Sequence, residues 1–124
     1  MPFPDYPTMH EALFDDSFLK GTGVTTLDFA KAMIDEGFHP MTMYFPLVVH
    51  GAMLVEPTES ESKQTLDRFC EVMEELAIDA KAGNTERFTA APMKAPRRRL
   101  DETRAARSPI LRWERPEELP QAAE

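Results

Sequence analysis

The chain has 124 residues, 42% of them hydrophobic, and its 22 acidic against 14 basic residues give a formal net charge of −8. That length supports one core rather than two, and that apolar fraction excludes a disordered chain. The acidic balance excludes generic nucleic-acid binding, and the longest apolar stretch, "MTMYFPLVVHGAMLV" from Met41 to Val55, is interrupted and shorter than the roughly 20 residues of a membrane span.

The charge is unevenly divided. Residues 87–115 hold nine Lys or Arg and three Asp or Glu, a net +6, while the remainder nets −14. An acidic body with a basic strap points to self-contact or to docking on an acidic neighbour. A single cysteine, Cys70, makes no internal disulfide, and "MPFPDYPTMH" has neither a basic region nor an apolar signal core. Both features lead to the expectation of a cytoplasmic location.

In chain order, "HEALFDD" from His10 to Asp16 reads as a strand entering a turn, followed by a flexible connection through Gly21 and Gly23. In "TTLDFAKAMIDEG", a 100° step places Leu27, Phe29, Ala30, Met33 and Ile34 on one arc and Asp28, Lys31, Asp35 and Glu36 on the other. This predicts an amphipathic helix with Thr25 or Thr26 as N-cap and Gly37 as its stop. "MTMYFPLVV" and "AMLVE" read as strands around a His50–Gly51 turn, with Pro46 making the first an edge strand or breaking it.

Pro57 ends the second strand, and Thr58-Glu59-Ser60-Glu61 matches the T-x-x-E capping box. A helix from Thr58 to Ala82 follows, roughly 36 Å long at 1.5 Å per residue. Its apolar face is Leu66, Phe69, Cys70, Met73, Leu76, Ala77 and Ala80. Asn84 is placed to cap a short helix through Phe88. "AAPMKAPRRRL" reads as extended, "DETRAAR" as two helical turns, and "PILRWERPEELPQAAE" as surface strap and tail. The fold class is α+β, a small antiparallel sheet packed by helices.

The glutamates of "LVEPTESESK" suit the positive end of a helix dipole. Glu56 is the exception, since it ends a strand where a carboxylate can line a cleft. His10, His39 and His50 lack metal-ligand spacing such as H-E-x-x-H. Cys70 lies on the predicted apolar face and reads as a buried structural thiol rather than a nucleophile. Arg97–Arg99 lacks aromatic interleaving, so salt bridges within the chain or across an interface are expected of it rather than phosphate contacts. "GTG" lacks the spacing of a dinucleotide fingerprint, and Met41, Met43 and Met53 read as core or docking surface. His39 precedes Pro40, which biases it towards extended backbone and leaves it as a loop residue or a functional rim position. From the residues alone, this is an acidic α+β domain without a catalytic constellation.

The stretch "GVTTLDFAKAMIDEGFHPMTMYFPL", with "LVEPTESESK" and "RRLDETRAARSPILRW", resembles the C-terminal end of the glycine dehydrogenase (decarboxylating) family in its subunit 2 form, the P-protein of the glycine cleavage system. The resemblance begins near "MHEALFDD" and runs to Trp113. It divides the chain into an N-terminal extension (1–8), a small domain (9–113) and a flexible tail (114–124).

The resemblance implies a pyridoxal-phosphate enzyme of the aspartate aminotransferase type, in which a large domain holds the cofactor and a small C-terminal α+β domain closes over the site. It implies decarboxylation of glycine and passage of the aminomethyl group to the lipoyl arm of the H-protein. The family's cofactor lysine follows a histidine in the large domain, whereas none of Lys20, Lys31, Lys63, Lys81 or Lys94 does so here. The chain is therefore expected to bind no pyridoxal phosphate and to be inactive alone. By analogy, "FHPMT" and "EPTE" face the large domain, which makes His39, Thr42, Glu56, Thr58 and Glu59 a substrate-site rim. The implied partners are the P-protein large domain or subunit and the lipoyl H-protein. Self-association of the free chain is expected through Met41, Met43, Phe45 and Met53, with no nucleic-acid or membrane partner. Three roles are consistent with this: a component of a split enzyme, a non-catalytic module docking on P-protein or H-protein, and a fragment without independent function.

Overall fold

The computed structural model describes residues 1–113, so the predicted tail at 114–124 lies outside the described residues. Three short strands form one antiparallel sheet in the order β1-β3-β2: β1 Ala12–Phe14, β2 Thr42–Met43 and β3 Met53–Val55. The helices are α1 Thr26–Asp35, α2 Lys63–Lys81, α3 Thr85–Thr89 and α4 Glu102–Arg107, with a 3-10 turn at Ser17–Leu19. The architecture is the expected α+β layer. No helix among the described residues is long and apolar enough to cross a membrane.

Side-chain alternation along the strands decides which face is covered. Met53 is opposite Phe14 on one side and Met43 on the other, and all three pack into the core. Leu54 is opposite Leu13 and Thr42 on the outward face. β2 is only two residues long because the backbone leaves the strand at Tyr44, which adopts a left-handed conformation (φ 59°). Pro46 thus lies beyond a broken strand, one of the two outcomes its position allowed.

α1 begins with a complete capping box. The Thr25 hydroxyl accepts from the Asp28 N–H at 3.2 Å, and the Asp28 carboxylate accepts from the Thr25 N–H at 3.0 Å. The helix stops at Gly37 (φ 88°), where the Phe38 N–H returns to the Met33 carbonyl. Phe29, Ala30 and Met33 are buried as the periodicity predicts. Asp28, predicted on the polar arc, is also buried because its carboxylate closes the cap and meets Arg99 Nη2 at 2.7 Å.

α2 starts four residues later than the T-x-x-E pattern indicates. Ser62 is its N-cap and accepts from the Thr65 N–H at 3.1 Å, while Thr58 bonds Ser60 at 3.0 Å within a separate turn. The extra turn would bury no side chain, since residues 58–64 are all exposed, and helix stability comes mainly from packing. The 19-residue helix is about 28 Å long rather than 36 Å. Its buried stripe is Val72, Leu76 and Ala80, flanked by Phe69 and Met73. Cys70 is exposed, which corrects its reading as a buried thiol: one residue past Phe69, it turns to the solvent side. Asn84 occupies the N-cap position of α3, but its side chain donates to Asp79 instead of capping.

The core centres on Phe29 and Phe88, whose rings stack with centroids 6.3 Å apart, and Phe18 meets Phe29 edge-on at 5.3 Å. Such pairs add about 0.5–1.5 kcal/mol beyond their buried area. Arg99 then closes the assembly. Its Nε donates to the Ala91 carbonyl and its Nη2 to the Phe88 carbonyl, both at 2.8 Å, so one guanidinium joins the end of α3 to the start of α1. Arg98 donates to the Ala90 carbonyl at 3.0 Å. The basic strap therefore forms intramolecular contacts at its root, as expected.

Two predictions follow from these caps. Thr25→Ala should destabilise the fold by about 0.5–2 kcal/mol and Ser62→Ala by a similar amount, whereas Thr58→Ala should stay within about 0.5 kcal/mol of the parent. Urea denaturation of the three variants measures this, and a large Thr58→Ala effect would restore Thr58 as the cap. The second concerns acid. Burial pushes the Asp28 carboxyl upward, but the Thr25 hydroxyl and N–H and the Arg99 guanidinium outweigh it and hold the group below its ordinary 3.8. Its contribution is complete above that value and is lost as pH falls through the folded-state pKa. Asp28→Asn should cost about 1–3 kcal/mol near neutrality, and the gap from the parent should narrow below pH 3.8. A gap independent of pH would contradict this role for the carboxylate.

Candidate functional site

Antiparallel pairing of Thr42 with Leu54 places the start of β2 beside the end of β3. His39-Pro40 enters the sheet at the same end where Glu56-Pro57 leaves it. Four of the five predicted rim residues (His39, Glu56, Thr58 and Glu59) thus belong to the two connections at one end of the sheet. Thr42 lies on the outward face of β2, next to them. All five are exposed, and none of the three ionisable ones is in an ion pair among the described residues. Thr58 has a local partner in Ser60.

At the opposite end of the sheet the β2–β3 loop forms a second feature. Tyr44 turns back so that its hydroxyl accepts from the Leu27 N–H at 3.2 Å, one of the unpaired donors in the first turn of α1. The buried Val49 anchors the loop, and its N–H reaches the Pro46 carbonyl at 3.1 Å. Between these anchors Phe45, Leu47 and Val48 project outward, with Leu47 89% and Val48 87% exposed. Met41 and Met53 are buried and Met43 is half-buried, so of the four apolar residues predicted to form a docking patch only Phe45 is exposed. Alternation explains the correction: Met43 and Met53 take the inward positions of their strands.

His50 closes this loop. Its Nδ1 lies 3.0 Å from Asp16 Oδ1, and the hydrogen bond and charge of Asp16 raise the imidazole pKa. With Nδ1 engaged, Nε2 is the nitrogen left for another partner. Gly51 is required beside it, because it adopts φ 58° and a Cβ there would overlap the Asp16 carboxylate. The Gly51 carbonyl accepts from the buried Thr26 hydroxyl at 3.0 Å, which ties the loop to α1. Sequence reading found the His50–Gly51 turn but not the Asp16 pair, since no local pattern links residues 34 positions apart.

These residues do not fit pyridoxal phosphate. The lysines are at the surface, Lys31 half-exposed and Lys20, Lys63, Lys81 and Lys94 exposed. Lys94 and Arg87 border an open depression of about 590 Å³, but Asp35, Glu36 and Glu86 line it too and oppose a phosphate group, and Arg87 is already paired with Glu36 and Asp79. The Asp35 carboxylate there already accepts from the Met93 and Lys94 N–H groups at 2.7 Å. Among the described residues no three His, Cys, Asp or Glu side chains are grouped to hold a metal ion.

The family model described as "Glycine dehydrogenase, C-terminal domain" matches residues 5–96. The chain is 73% identical over 122 residues to a probable glycine dehydrogenase (decarboxylating) subunit 2 of Caulobacter vibrioides, a match covering 98% of this chain and 23% of that protein. It is 49% identical over 108 residues to the protein of the same description in Fervidobacterium nodosum, covering 86% and 22%. For the one in Caldanaerobacter subterraneus the figures are 50% over 109 residues, covering 88% and 22%. The chain thus spans under a quarter of the length of these curated relatives. With the family model matched through the sheet, both long helices and the aromatic core, the chain belongs to the glycine dehydrogenase C-terminal domain family.

Proposed function

We propose that this chain acts as the C-terminal domain of a glycine dehydrogenase (decarboxylating), inactive alone, and that it completes a site formed by the rest of the subunit. The observation that carries this reading is the disparity in coverage: the Caulobacter relative matches 98% of this chain, while this chain matches 23% of that relative. In the family pyridoxal phosphate supplies the electron sink for decarboxylation, and the lysines here do not fit it, so that chemistry belongs to the other three quarters of the subunit.

Two surfaces divide the work. The apolar tip Phe45, Leu47 and Val48 supplies docking area, since burying such side chains stabilises by about 1.5–3 kcal/mol each. The polar connections carrying His39, Thr42, Glu56, Thr58 and Glu59 form the rim, where they orient substrate and help exclude water once docked. The exposed free thiol of Cys70 suits a reducing cytoplasm.

Complementation tests the proposal. The chain alone, mixed with pyridoxal phosphate and gel-filtered, should retain no chromophore. Adding the N-terminal three quarters of the Caulobacter subunit should give a stable complex, and decarboxylation once the other proteins of the system are supplied. Leu47→Ser with Val48→Ser should weaken that complex by about tenfold or more, equivalent to about 1.4 kcal/mol or more. His39→Asn and Glu56→Gln should lower activity while leaving complex formation intact. A retained, borohydride-trappable chromophore on the chain alone, or no binding to the fragment, would refute the reading.

A further inference from the structure

Residues 97–113 are anchored at their root, border Leu27 and Lys31 of α1 through Leu100 to Thr103, and are exposed beyond it. Arg98 and Arg99 hold the root against the carbonyls of Phe88, Ala90 and Ala91, but from Leu100 to Trp113 every residue is exposed. α4 is a six-residue helix with no buried side chain, a length too short to be stable in water without a covering surface. Ile110, Leu111 and Trp113 are 81%, 87% and 78% exposed. Residues 97–113 carry six arginines against two acids. Arg104 and Arg107, three apart on one side of α4, have no carboxylate partner among the described residues, and neither has Arg112.

A complementary surface exists on the same chain. On α2, opposite the core stripe, Asp67, Glu71, Glu74 and Ile78 recur at spacings of four, three and four, with Glu75 beside them. Lys63 answers Asp67, and Arg68 answers Glu71 and Glu75, which leaves Glu74 without a partner among the described residues. Ile78 is 67% exposed within this acidic stripe. In a single copy the two surfaces do not meet, since α4 buries nothing and pairs with no α2 carboxylate.

We propose that residues 100–113 of one copy lie on the outer face of α2 of a second copy, and that the exchange is reciprocal. A two-fold dimer with two identical contacts results. Charge complementarity selects a second copy as the occupant, since the body over residues 1–86 carries 16 acidic and five basic residues, a net −11, and the arm is basic. Exposed ion pairs are individually weak, so Ile110, Leu111 and Trp113 supply the buried area while Arg104 and Arg107 set orientation. The arm is not peculiar to this chain, because the 122-residue match to the Caulobacter relative must include residues 100–113. This contact uses neither the Phe45–Val48 tip nor the rim, and it does not depend on the function proposed above.

Sedimentation equilibrium on the full chain tests it. A dimer is expected at about 0.1 M salt, weakened by about tenfold at about 1 M, where the screening length falls from about 10 Å to about 3 Å. Arg104→Glu with Arg107→Glu should give a monomer with unchanged circular dichroism, and so should Glu71→Lys with Glu74→Lys. Mixing these two variants places each acidic arm on a basic α2 and each basic arm on an acidic α2, so a heterodimer should reappear. A parent that stays monomeric at low salt, a dimer indifferent to both reversals, or variants that dissociate and do not recombine would each overturn the proposal.

Discussion

The Asp28 carboxylate is the point on which the fold depends. It accepts from the Thr25 N–H and hydroxyl to close the cap of α1, and it pairs with Arg99, which also satisfies carbonyls at the end of α3. A buried charge is tolerated only when paired and hydrogen-bonded, and here the partners are Thr25 in the same turn and Arg99 from a distant stretch of chain. Phe29 and Phe88, the residues stacked at the centre of the core, adjoin this polar node directly: one follows Asp28, and the other supplies a carbonyl to Arg99. Polar specificity and apolar packing thus reinforce each other at one place.

The sheet is too small to hold itself, with strands of two and three residues. It is stabilised by what lies behind it, since Met53 and its two cross-strand neighbours all enter the helical core. Such a sheet serves as a short bracket between two loops. At one end it brings the connections carrying His39 and Glu56 side by side. At the other it presents an apolar tip braced by Tyr44 on α1, by Thr26 on Gly51 and by Asp16 on His50. The loop has many fixed contacts behind it and few in front, the arrangement expected of a surface that another body covers.

The proposed function divides chemistry from closure. Lys20, Lys31, Lys63, Lys81 and Lys94 lie at the surface and do not fit the family's cofactor. On the function proposed above, the domain contributes position: a polar rim and an apolar tip on a rigid support, at the edge of a site built elsewhere in the subunit. The arm beyond Arg99 is a third, separate surface, opposite in charge to the body.

Much of this was legible in the residues. The period of 3.6 in "TTLDFAKAMIDEG" determined α1, a cap at Thr25 or Thr26 and the Gly37 stop, because all three are local consequences of backbone hydrogen bonding, and the structure chose Thr25. The charge split between body and strap, the break at Pro46 and the quoted family motifs were also readable without coordinates. The start of α2 was not, because two cap signals, at Thr58 and Ser62, compete within five residues, and only the point where the helix meets the core decides between them. The exposure of Cys70 and the burial of Met53 were settled by the packing of α2 and the sheet against a common core. Local sequence specifies which hydrogen bonds an element can make. Which face is buried, and which distant residues meet, as at Asp28 with Arg99 or Asp16 with His50, depends on contacts between segments far apart in the chain, and the tertiary structure alone decides those.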